Sequence, residues 1–285
     1  MTRVLPTWVC LFVTLGWVLA GCERSPTAPS GGGVRIATTS PAVGIMLRDF
    51  GAAELAVGRS GYDIALDPTL PVVGDAAGID LERLSALRAT HAFVETGASA
   101  PPAGLVEVAD ASGFELVTFE LTSLEQLIEV AQAVHAVVRG QVDAGPAPAD
   151  RFAAALEPDS ALADAGAVLL LIPGTPAAAL GPGSVHHEVL VAMGGRSALE
   201  GGRPYMPVDA EDVLAISPDA IVVLAPGEGE DWASLLGSYS ALPVPAIERG
   251  RVAVLRDADV LMASTSTLRF ADDLRGVLLG WAEDE

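Results

Sequence analysis

The stretch VRIATTSPAVGIMLRDFG, residues 34–51, sets the fold class of this sequence. Residues 34–38 form a short, largely apolar run that predicts a β-strand. Ser40 and Pro41 follow it, and they are the residue types preferred at the N-cap and at the first position of a helix. Apolar residues then recur at helical spacing as far as Gly51, which predicts the helix end. The stretch therefore predicts a strand followed directly by an amphipathic helix.

The alternation of strand and helix continues along the chain. Further strands are predicted at 55–58, 92–95, 115–119, 168–172, 220–224 and 252–255. Further helices are predicted at 81–87, 123–139, 150–156, 185–193, 210–215 and 267–279. Residues 59–80 lack clear periodicity and are predicted to be a loop. Strands that alternate with helices are typical of mostly parallel sheets, so the fold class is α/β.

A Gly/Pro/Ala-rich stretch, GQVDAGPAPA at 140–149, divides this pattern into two halves. We predict an N-terminal lobe at 34–140, a connecting helical segment at 141–166 and a C-terminal lobe at 167–285. Each lobe is expected to have a mostly parallel central sheet, with a ligand cleft between the lobes. Pro158 lies in the connecting segment, and proline inside a helix kinks it. We therefore predict that the lobes close more on ligand binding than a stiff connecting helix would allow. The alternative is that Pro158 ends a shortened helix and the lobes stay rigid.

The N-terminal region has the organisation of a secretory signal. Arg3 precedes an apolar run at 8–20, and small residues follow, so residues 1–21 are predicted to be a signal peptide. The residues Leu19-Ala20-Gly21-Cys22 resemble a bacterial lipobox, which implies lipidation of Cys22. Residues 23–33, ERSPTAPSGGG, are typical of a flexible tether. We therefore expect an exported protein, anchored by lipid to the periplasmic or extracellular side of a membrane. The alternative is a plain signal peptide or a short N-terminal anchor.

Composition and motifs exclude several classes of function. The net charge of −21 disfavours nucleic acid, because phosphates require clustered cations, and it disfavours direct docking on an anionic membrane. The chain contains two cysteines, Cys10 and Cys22, so the predicted mature domain has no disulfide, cysteine–zinc site or cysteine nucleophile. No Gly-x-Ser-x-Gly elbow, P-loop or GxGxxG follows a strand, so we expect no enzyme activity.

Several segments together resemble one known family. The opening RIATTSPAVGIMLRDFGAAELAVGRSGYD and the segment LPVVGDAAGIDLERLSALRATHAFVE are similar to the helical-hinge periplasmic substrate-binding proteins for cobalamin, haem and ferric siderophores. The stretches GSVHHEVLVAMGG, VDAEDVLAISPDAIVVL and YSALPVPAIERGRVAVL extend the resemblance through the second half. No single motif is specific, but their order and spacing are, and together they span nearly all of residues 34–280.

The resemblance implies both a function and its partners. It implies a monomeric binding protein, without a resident cofactor or metal, that delivers an iron or cobalt chelate to an ABC permease dimer in the inner membrane. In that family one carboxylate on each lobe meets arginines of the permease, and the matching positions are Glu82 and Glu211. Both also lie early in a predicted helix, where a carboxylate favours the helix dipole without any partner. The alternative function is a cell-surface ligand sensor or interaction module that does not transport.

The ligand is expected to contact loops at the carboxyl ends of the strands. The candidate ligand-binding residues are Ser40, Arg59, Tyr62, Asp63, Tyr205, Met206, Trp232, Tyr239 and Met262, together with the loop 173–175 and residues 263–266. Arg59 is suited to a ligand carboxylate or phosphate, or else it is solvated or paired internally. Where some cobalamin binders of the family place Trp, this chain has Ala76 or a neighbouring residue, which does not favour cobalamin.

Two adjacent histidines, His186 and His187, invite a metal interpretation. Adjacent side chains on a helix point about 100° apart, so they cannot easily chelate one ion together. No third ligand stands at a convincing spacing, and HExxH is absent. We expect no metal site, although one of the two histidines could line the cleft.

Overall fold

The structure, a computed structural model, describes residues 33–75, 77–96, 101–102, 104–229 and 231–282. The predicted signal peptide, Cys22 and nearly all of the predicted tether lie outside these residues. Among the described residues, no helix combines the length and apolar character needed to cross a membrane.

The first lobe is a parallel sheet with one short antiparallel edge strand. Its strands are β1 (Ile36–Thr38), β2 (Ala56–Ser60), β3 (Val72–Asp75), β4 (Gly78–Ile79), β5 (His91–Glu95) and β6 (Glu115–Phe119). Their order is β4-β3-β2-β1-β5-β6, and only the β3–β4 pair is antiparallel. The first helices are α1 (Pro41–Asp49), α2 (Leu81–Ala86) and α3 (Leu105–Ser112). The chain leaves β1 toward β2 on one side and reaches β5 on the other, which makes β1/β5 the topological switch point of the sheet.

The second lobe is a mixed sheet with a parallel centre. Its strands are β7 (Ala167–Ile172), β8 (Ala177–Leu180), β9 (Arg196–Ser197), β10 (Tyr205–Val208), β11 (Ala220–Leu224) and β12 (Val252–Leu255). Their order is β10-β8-β7-β11-β12, with β9 paired to β7. The remaining helices are α4 (Leu124–Val138), α5 (Pro148–Ala155), α6 (Val185–Ala192), α7 (Ala210–Ile216), α8 (Trp232–Leu236), α9 (Pro245–Glu248) and α10 (Thr267–Ala282). The predicted α/β fold with two mostly parallel sheets is confirmed.

The region predicted to be a loop, residues 59–80, contains a pair of strands instead. β3 and β4 form a tight antiparallel pair in which Gly74 faces Ile79. Gly74 has a φ of 152°, and a Cβ there would meet the backbone oxygen of Gly78. Glycine thus permits a close approach that no other residue allows, and it also hides the alternating pattern by which strands are predicted.

The connection between the lobes contains two short helical segments. The chain passes from β6 through α4 and α5, and then through a 3-10 helix at Ser160–Ala165, to β7. α5 ends at Ala155, so Pro158 lies between two helical segments and interrupts neither. The expectation of a helix kinked at Pro158 is therefore wrong, and the argument for unusually large lobe closure loses its basis. α4 contacts α1 of the first lobe and α6 of the second.

One apolar core runs through both lobes. Its buried members include Phe93 in the first sheet, Val222 in the second sheet, and Leu127, Phe152 and Leu274 on helices α4, α5 and α10. Two smaller apolar clusters cover the opposite faces of the two sheets. Burying a side chain of this size stabilises the fold by about 1.5–3 kcal/mol, so the shared core is a major contribution to holding the lobes together.

A network of charges also joins the lobes, and we call these five side chains the interlobe network: Arg48, Asp49, Asp257, Asp259 and Arg269. The Arg48 Nη2 atom lies 2.6 Å from Asp259 Oδ2 and 2.7 Å from Asp49 Oδ1. The Arg269 Nη2 atom lies 3.0 Å from the same Asp259 oxygen. Arg269 Nε also lies 2.7 Å from Asp257 Oδ2. Asp259 has a side chain only 4% exposed, so these contacts are partly withdrawn from water.

The network shifts the protonation equilibria of three of its members, Arg48, Asp257 and Arg269, toward the charged forms. Burial by itself lowers the pKa of Arg48, but hydrogen bonds to Asp259 and Asp49 outweigh it and raise that pKa. The hydrogen bond from Arg269 lowers the pKa of Asp257 and, reciprocally, raises that of Arg269. Arg48, Asp257 and Arg269 therefore remain charged near neutral pH.

Candidate ligand-binding cleft

A cavity of about 620 Å³ opens between the lobes. The residues that line it are Thr39, Pro41, Ala42, Ser60, Tyr62, Asp75, Ala77, Gly78, Ile79, Glu95, Thr96, Pro102, Leu121, Met262 and Ala263. Most come from the first lobe, whereas Met262 and Ala263 come from the second. Its volume lies within the range of small-molecule pockets, about 300–1,000 Å³.

A second chamber of about 280 Å³ continues the cavity toward the other lobe. Leu121 and Ala263 line both chambers, so the two form one cleft. The other residues that line the smaller chamber are Thr122, Gly183, Ser184, Val185, His186, Pro204, Tyr205 and Leu261. The cleft therefore uses surface from both lobes, as the sequence predicted.

The topology explains where the cleft lies in the first lobe. Thr39 and Pro41 directly follow β1, and Glu95 and Thr96 stand at the end of β5. These are the carboxyl ends of the two strands at the switch point, where ligands of open α/β sheets bind. In the second lobe the cleft uses instead the loop before α6, the start of β10 and the segment after β12.

Ser40 and Glu95 form a hydrogen-bonded pair at this switch point. The Ser40 hydroxyl donates to Glu95 Oε2 at 2.6 Å. Ser40 thus occupies the predicted N-cap position of α1, but its side chain bonds the glutamate and does not cap the helix. The Thr39 hydroxyl oxygen also accepts a hydrogen bond from the Glu95 backbone N–H at 3.2 Å. These contacts fix the Glu95 carboxylate at the edge of the cavity.

Four of the predicted ligand-binding residues line the cleft: Tyr62 and Met262 in the larger chamber, Tyr205 in the smaller one, and Ala263 in both. Tyr62 is 64% exposed and Tyr205 is 55% exposed, so both rings are available to a ligand. Burial of part of the Tyr205 side chain raises its pKa, and the phenol stays neutral at physiological pH. Their ligand contacts remain predictions.

Two other predicted residues are occupied by bonds within the first lobe. Arg59 donates from Nη1 to the Ser60 carbonyl at 3.0 Å and from Nη2 to the Pro68 carbonyl at 2.9 Å. Asp63 Oδ1 accepts from the backbone N–H groups of Ala65 and Leu66. Neither side chain lines the cavity, because both form hydrogen bonds with backbone carbonyl or N–H groups of the turn after β2.

The remaining predicted residues pack into the second lobe, away from the cleft. Met206, Trp232 and Tyr239 lie against the apolar cluster on the far face of that sheet. The Tyr239 hydroxyl donates to the Val208 carbonyl at 2.8 Å. The loop 173–175 does not contribute to the cavity lining either. An exposed aromatic and a core aromatic look alike in sequence, and only the tertiary fold separates them.

Both histidines of the predicted pair are engaged in the second lobe. His186 is 3% exposed, and its Nε2 bonds the Val260 carbonyl at 2.7 Å. Burial lowers the pKa of His186, although its bond to Val260 acts in the opposite direction. A neutral imidazole that donates from Nε2 fits this site. His187 Nε2 lies 3.3 Å from the Leu199 carbonyl, so the two rings face different partners. Within the described part of the chain, no three His, Cys, Asp or Glu side chains are grouped to hold a metal.

Glu82 and Glu211 stand at matching places on the two lobes. Each lies exposed in the first turn of its helix, α2 or α7. Both helices begin shortly after residues that line the cleft. Gly78 and Ile79 precede α2, and Tyr205 begins the strand that precedes α7. Neither glutamate takes part in an ion pair with any residue that the structure describes. The structure thus leaves both carboxylates available to a partner, and that role remains a prediction.

Sequence reasoning missed Asp75, Glu95 and Thr96 among the residues at the cavity. The rule that sites lie at the carboxyl ends of strands would have found Glu95, because it ends the predicted strand at 92–95. Asp75 could not be found in this way, since β3 was not predicted.

Comparison with known proteins gives the fold. No family model matches the sequence, and no curated protein matches it. Among solved structures, the vitamin B12-binding protein BtuF of Vibrio cholerae is 19% identical, with a TM-score of 0.65, and the match covers 88% of this chain and 98% of that one. The haem-binding protein RhuT from Roseiflexus sp. RS-1 is 21% identical, with a TM-score of 0.59 over 88% and 100% of the two chains.

A third similar structure binds another class of chelate. It is the siderophore periplasmic binding protein from the fuscachelin gene cluster of Thermobifida fusca, which is 18% identical, with a TM-score of 0.63 over 86% and 96% of the chains. The fold predicted from the resemblance, that of periplasmic haem, cobalamin and siderophore binding proteins, is therefore the fold of this chain. All three are periplasmic binding proteins.

Proposed function

We propose that this chain is a substrate-binding lipoprotein of an ABC importer, which captures an iron or cobalt chelate and delivers it to a permease dimer in the inner membrane. The observation that carries the proposal is the interlobe cavity of about 620 Å³ at the β1/β5 switch point, in a fold shared with haem, B12 and siderophore binders. A planar or macrocyclic ligand needs apolar and aromatic surface with a few polar groups. Tyr62, Met262 and Leu121 supply the first, and Thr39, Ser60 and Glu95 supply the second.

The two exposed glutamates support delivery to a permease. A carboxylate on each lobe, placed beside the cleft, would align the mouth of the cleft with the translocation path when both meet arginines. Charge pairs of this type mainly set register and association rate. A sensor or interaction module would have no use for a matched pair, so transport is the better proposal. The predicted signal peptide and lipobox support an exported protein that is anchored through Cys22.

Thermal stabilisation by candidate ligands tests the binding function. The soluble domain, residues 23–285, is melted alone and with cyanocobalamin, haem, a ferric trihydroxamate and a ferric tricatecholate. A ligand present at 100 times its Kd stabilises the native state by about 2.7 kcal/mol, which for a domain of this size raises Tm by roughly 5–10 °C. Calorimetric titration then measures stoichiometry, and one chelate per chain is expected. If no chelate in the panel shifts the transition, chelate capture is not the function.

A further inference from the structure

The ionisable groups of the cleft are unbalanced in sign. The larger chamber is lined by two carboxylates, Asp75 and Glu95, and by no arginine or histidine among its described residues. The chain contains no lysine at all, so arginine is the only permanently charged cation available. The smaller chamber contributes one ionisable imidazole, that of the buried and neutral His186, and one neutral phenol, that of Tyr205.

Both carboxylates are held in place by groups that leave their charge uncompensated. Glu95 accepts a hydrogen bond from the neutral Ser40 hydroxyl, and Asp75 accepts one from the backbone N–H of Ala77 at 2.8 Å. Glu95 is exposed and Asp75 is half-buried, and neither forms an ion pair with a described residue. Their negative charge is therefore directed toward whatever occupies the cavity.

Three arginines of the regions around the cleft, Arg48, Arg59 and Arg269, are used elsewhere. Arg59 is bonded to two backbone carbonyls, and Arg48 and Arg269 are neutralised by aspartates of the interlobe network. Arg203 is exposed and precedes Pro204, but it does not belong to the described lining. Glu120, next to Leu121, is a further acid. The undescribed residues 76, 97–100 and 103 are Gly, Ala or Ser in the sequence and bring no charge.

This arrangement discriminates among chelates by charge. Haem carries two propionate carboxylates and a ferric tricatecholate is trianionic, so either would bring negative charge against two fixed carboxylates. A cationic ferric trihydroxamate with a free ammonium group would be attracted, and an amide-rimmed corrinoid would be tolerated. The exposed rings of Tyr62 and Tyr205 add surface that attracts cations. The charge of −21 on the whole chain acts in the same direction at longer range.

We infer that the cleft selects a metal chelate without net negative charge, and that Asp75 and Glu95 are the residues that impose this selection. The inference rests on the proposed function and narrows its ligand class. Charge-neutral variants that keep the hydrogen bonds test it, because Gln at 95 and Asn at 75 each retain an oxygen that can accept the same bond.

The experiment is isothermal titration of the soluble domain with four probes: ferrioxamine B as the cationic trihydroxamate, cyanocobalamin, haem and ferric enterobactin. We expect the cationic or the neutral chelate to bind at least about tenfold more tightly than either anionic one. Glu95→Gln and Asp75→Asn should each lower the affinity for a cationic chelate about fivefold and raise the affinity for an anionic one. The affinity for cyanocobalamin should change by no more than about twofold. These effects are those expected for removing one unit charge a few ångströms from the ligand in a partly hydrated site. Glu129→Gln, at an exposed position of α4 outside the cleft, is the matched control and should change nothing.

Salt dependence of the wild-type protein gives a measurement that needs no variant. Affinity for a cationic chelate should fall as sodium chloride rises from 0.05 to 0.5 M, because screening weakens the attraction. Tight binding of haem or ferric enterobactin that is indifferent to Glu95→Gln and Asp75→Asn would overturn the charge selection while leaving chelate capture intact. Failure of all four probes to bind would instead refute the proposed function, and the inference with it.

Discussion

Removing the Arg48 guanidinium tests how far the interlobe network fastens the two lobes. Arg48→Met keeps the length and apolar stem of the side chain but deletes its bonds to Asp49 and Asp259. The network holds two arginines and three aspartates, a net charge of 2 − 3 = −1, which the substitution changes to 1 − 3 = −2. Asp259, almost completely buried, then depends on Arg269 alone.

The size of the effect follows from burial. Breaking a fully buried pair costs about 3–5 kcal/mol, but the Arg48 side chain is 36% exposed and Asp259 keeps its second arginine. We therefore expect the free energy of unfolding to fall by about 1–2 kcal/mol, and Tm to fall by about 2–8 °C. Because α1 begins at the cleft and ends in the network, we also expect weaker ligand binding.

A double-mutant cycle with Asp259→Asn separates the contact from general damage to the fold. The free energy of unfolding is measured by urea titration for the wild type, both single variants and the double variant. If the two side chains interact, the double variant loses less stability than the sum of the singles, by about 1 kcal/mol. Strictly additive losses would refute a direct ionic contact. An Arg48→Met protein as stable as the wild type would refute the fastening role altogether.

Three further predictions address acid stability, permease docking and anchoring. Because burial depresses the folded-state pKa of His186, this residue contributes stability that is complete above about pH 6.5, the unfolded value, and is lost as the pH falls toward the folded value. The Tm of His186→Gln, whose side chain can still donate to Val260, should therefore fall less between pH 7.5 and 5 than the Tm of the wild type. Burial also lowers the pKa of His91, but both proteins contain this residue, so its contribution cancels in the comparison. Replacing Glu82 and Glu211 together by Ala should leave ligand Kd nearly unchanged but weaken binding to the permease by roughly 2 kcal/mol or more, measured in reconstituted membranes. Normal transport by the double variant would refute the docking role of the two glutamates. Cys22→Ala should release the protein to the soluble fraction or block its processing, and membrane retention of a correctly cleaved variant would exclude the lipobox interpretation.

Strand and helix periodicity predicted the central elements because tertiary packing and local pattern agree there. β1, α1 and β11 combine apolar periodicity with clear end signals, and the structure has them within one or two residues of the predicted bounds. β4 and β8 were missed for physical reasons. β4 is two residues long and includes a glycine. β8 has the sequence AAAL, which lacks the alternation of polar and apolar residues, and alanine has a low preference for strands.

The cleft was harder to predict than the fold. Tyr62 and Met262 were found because they lie in loops next to predicted strands, and the structure places both at the cavity. Trp232 and Tyr239 are predicted to contact the ligand because they follow a predicted strand and are aromatic, yet both pack against the apolar cluster of the second lobe. Which member of a loop faces a cavity depends on contacts between segments far apart in sequence, and a single sequence does not reveal them.

The apolar core that continues through both sheets bears on how this chain can be divided. If the chain were cut between the lobes, a fragment ending near residue 140 would keep a complete sheet. It would, however, expose the faces of α1 and α4 that the second lobe and its helices cover. The complementary fragment would expose α5 and α10 in the same way. Neither half is thus a self-sufficient module. Reporter insertions, split proteins and lobe exchanges between relatives should succeed at surface turns within a lobe and fail at the boundary that the two-sheet architecture suggests.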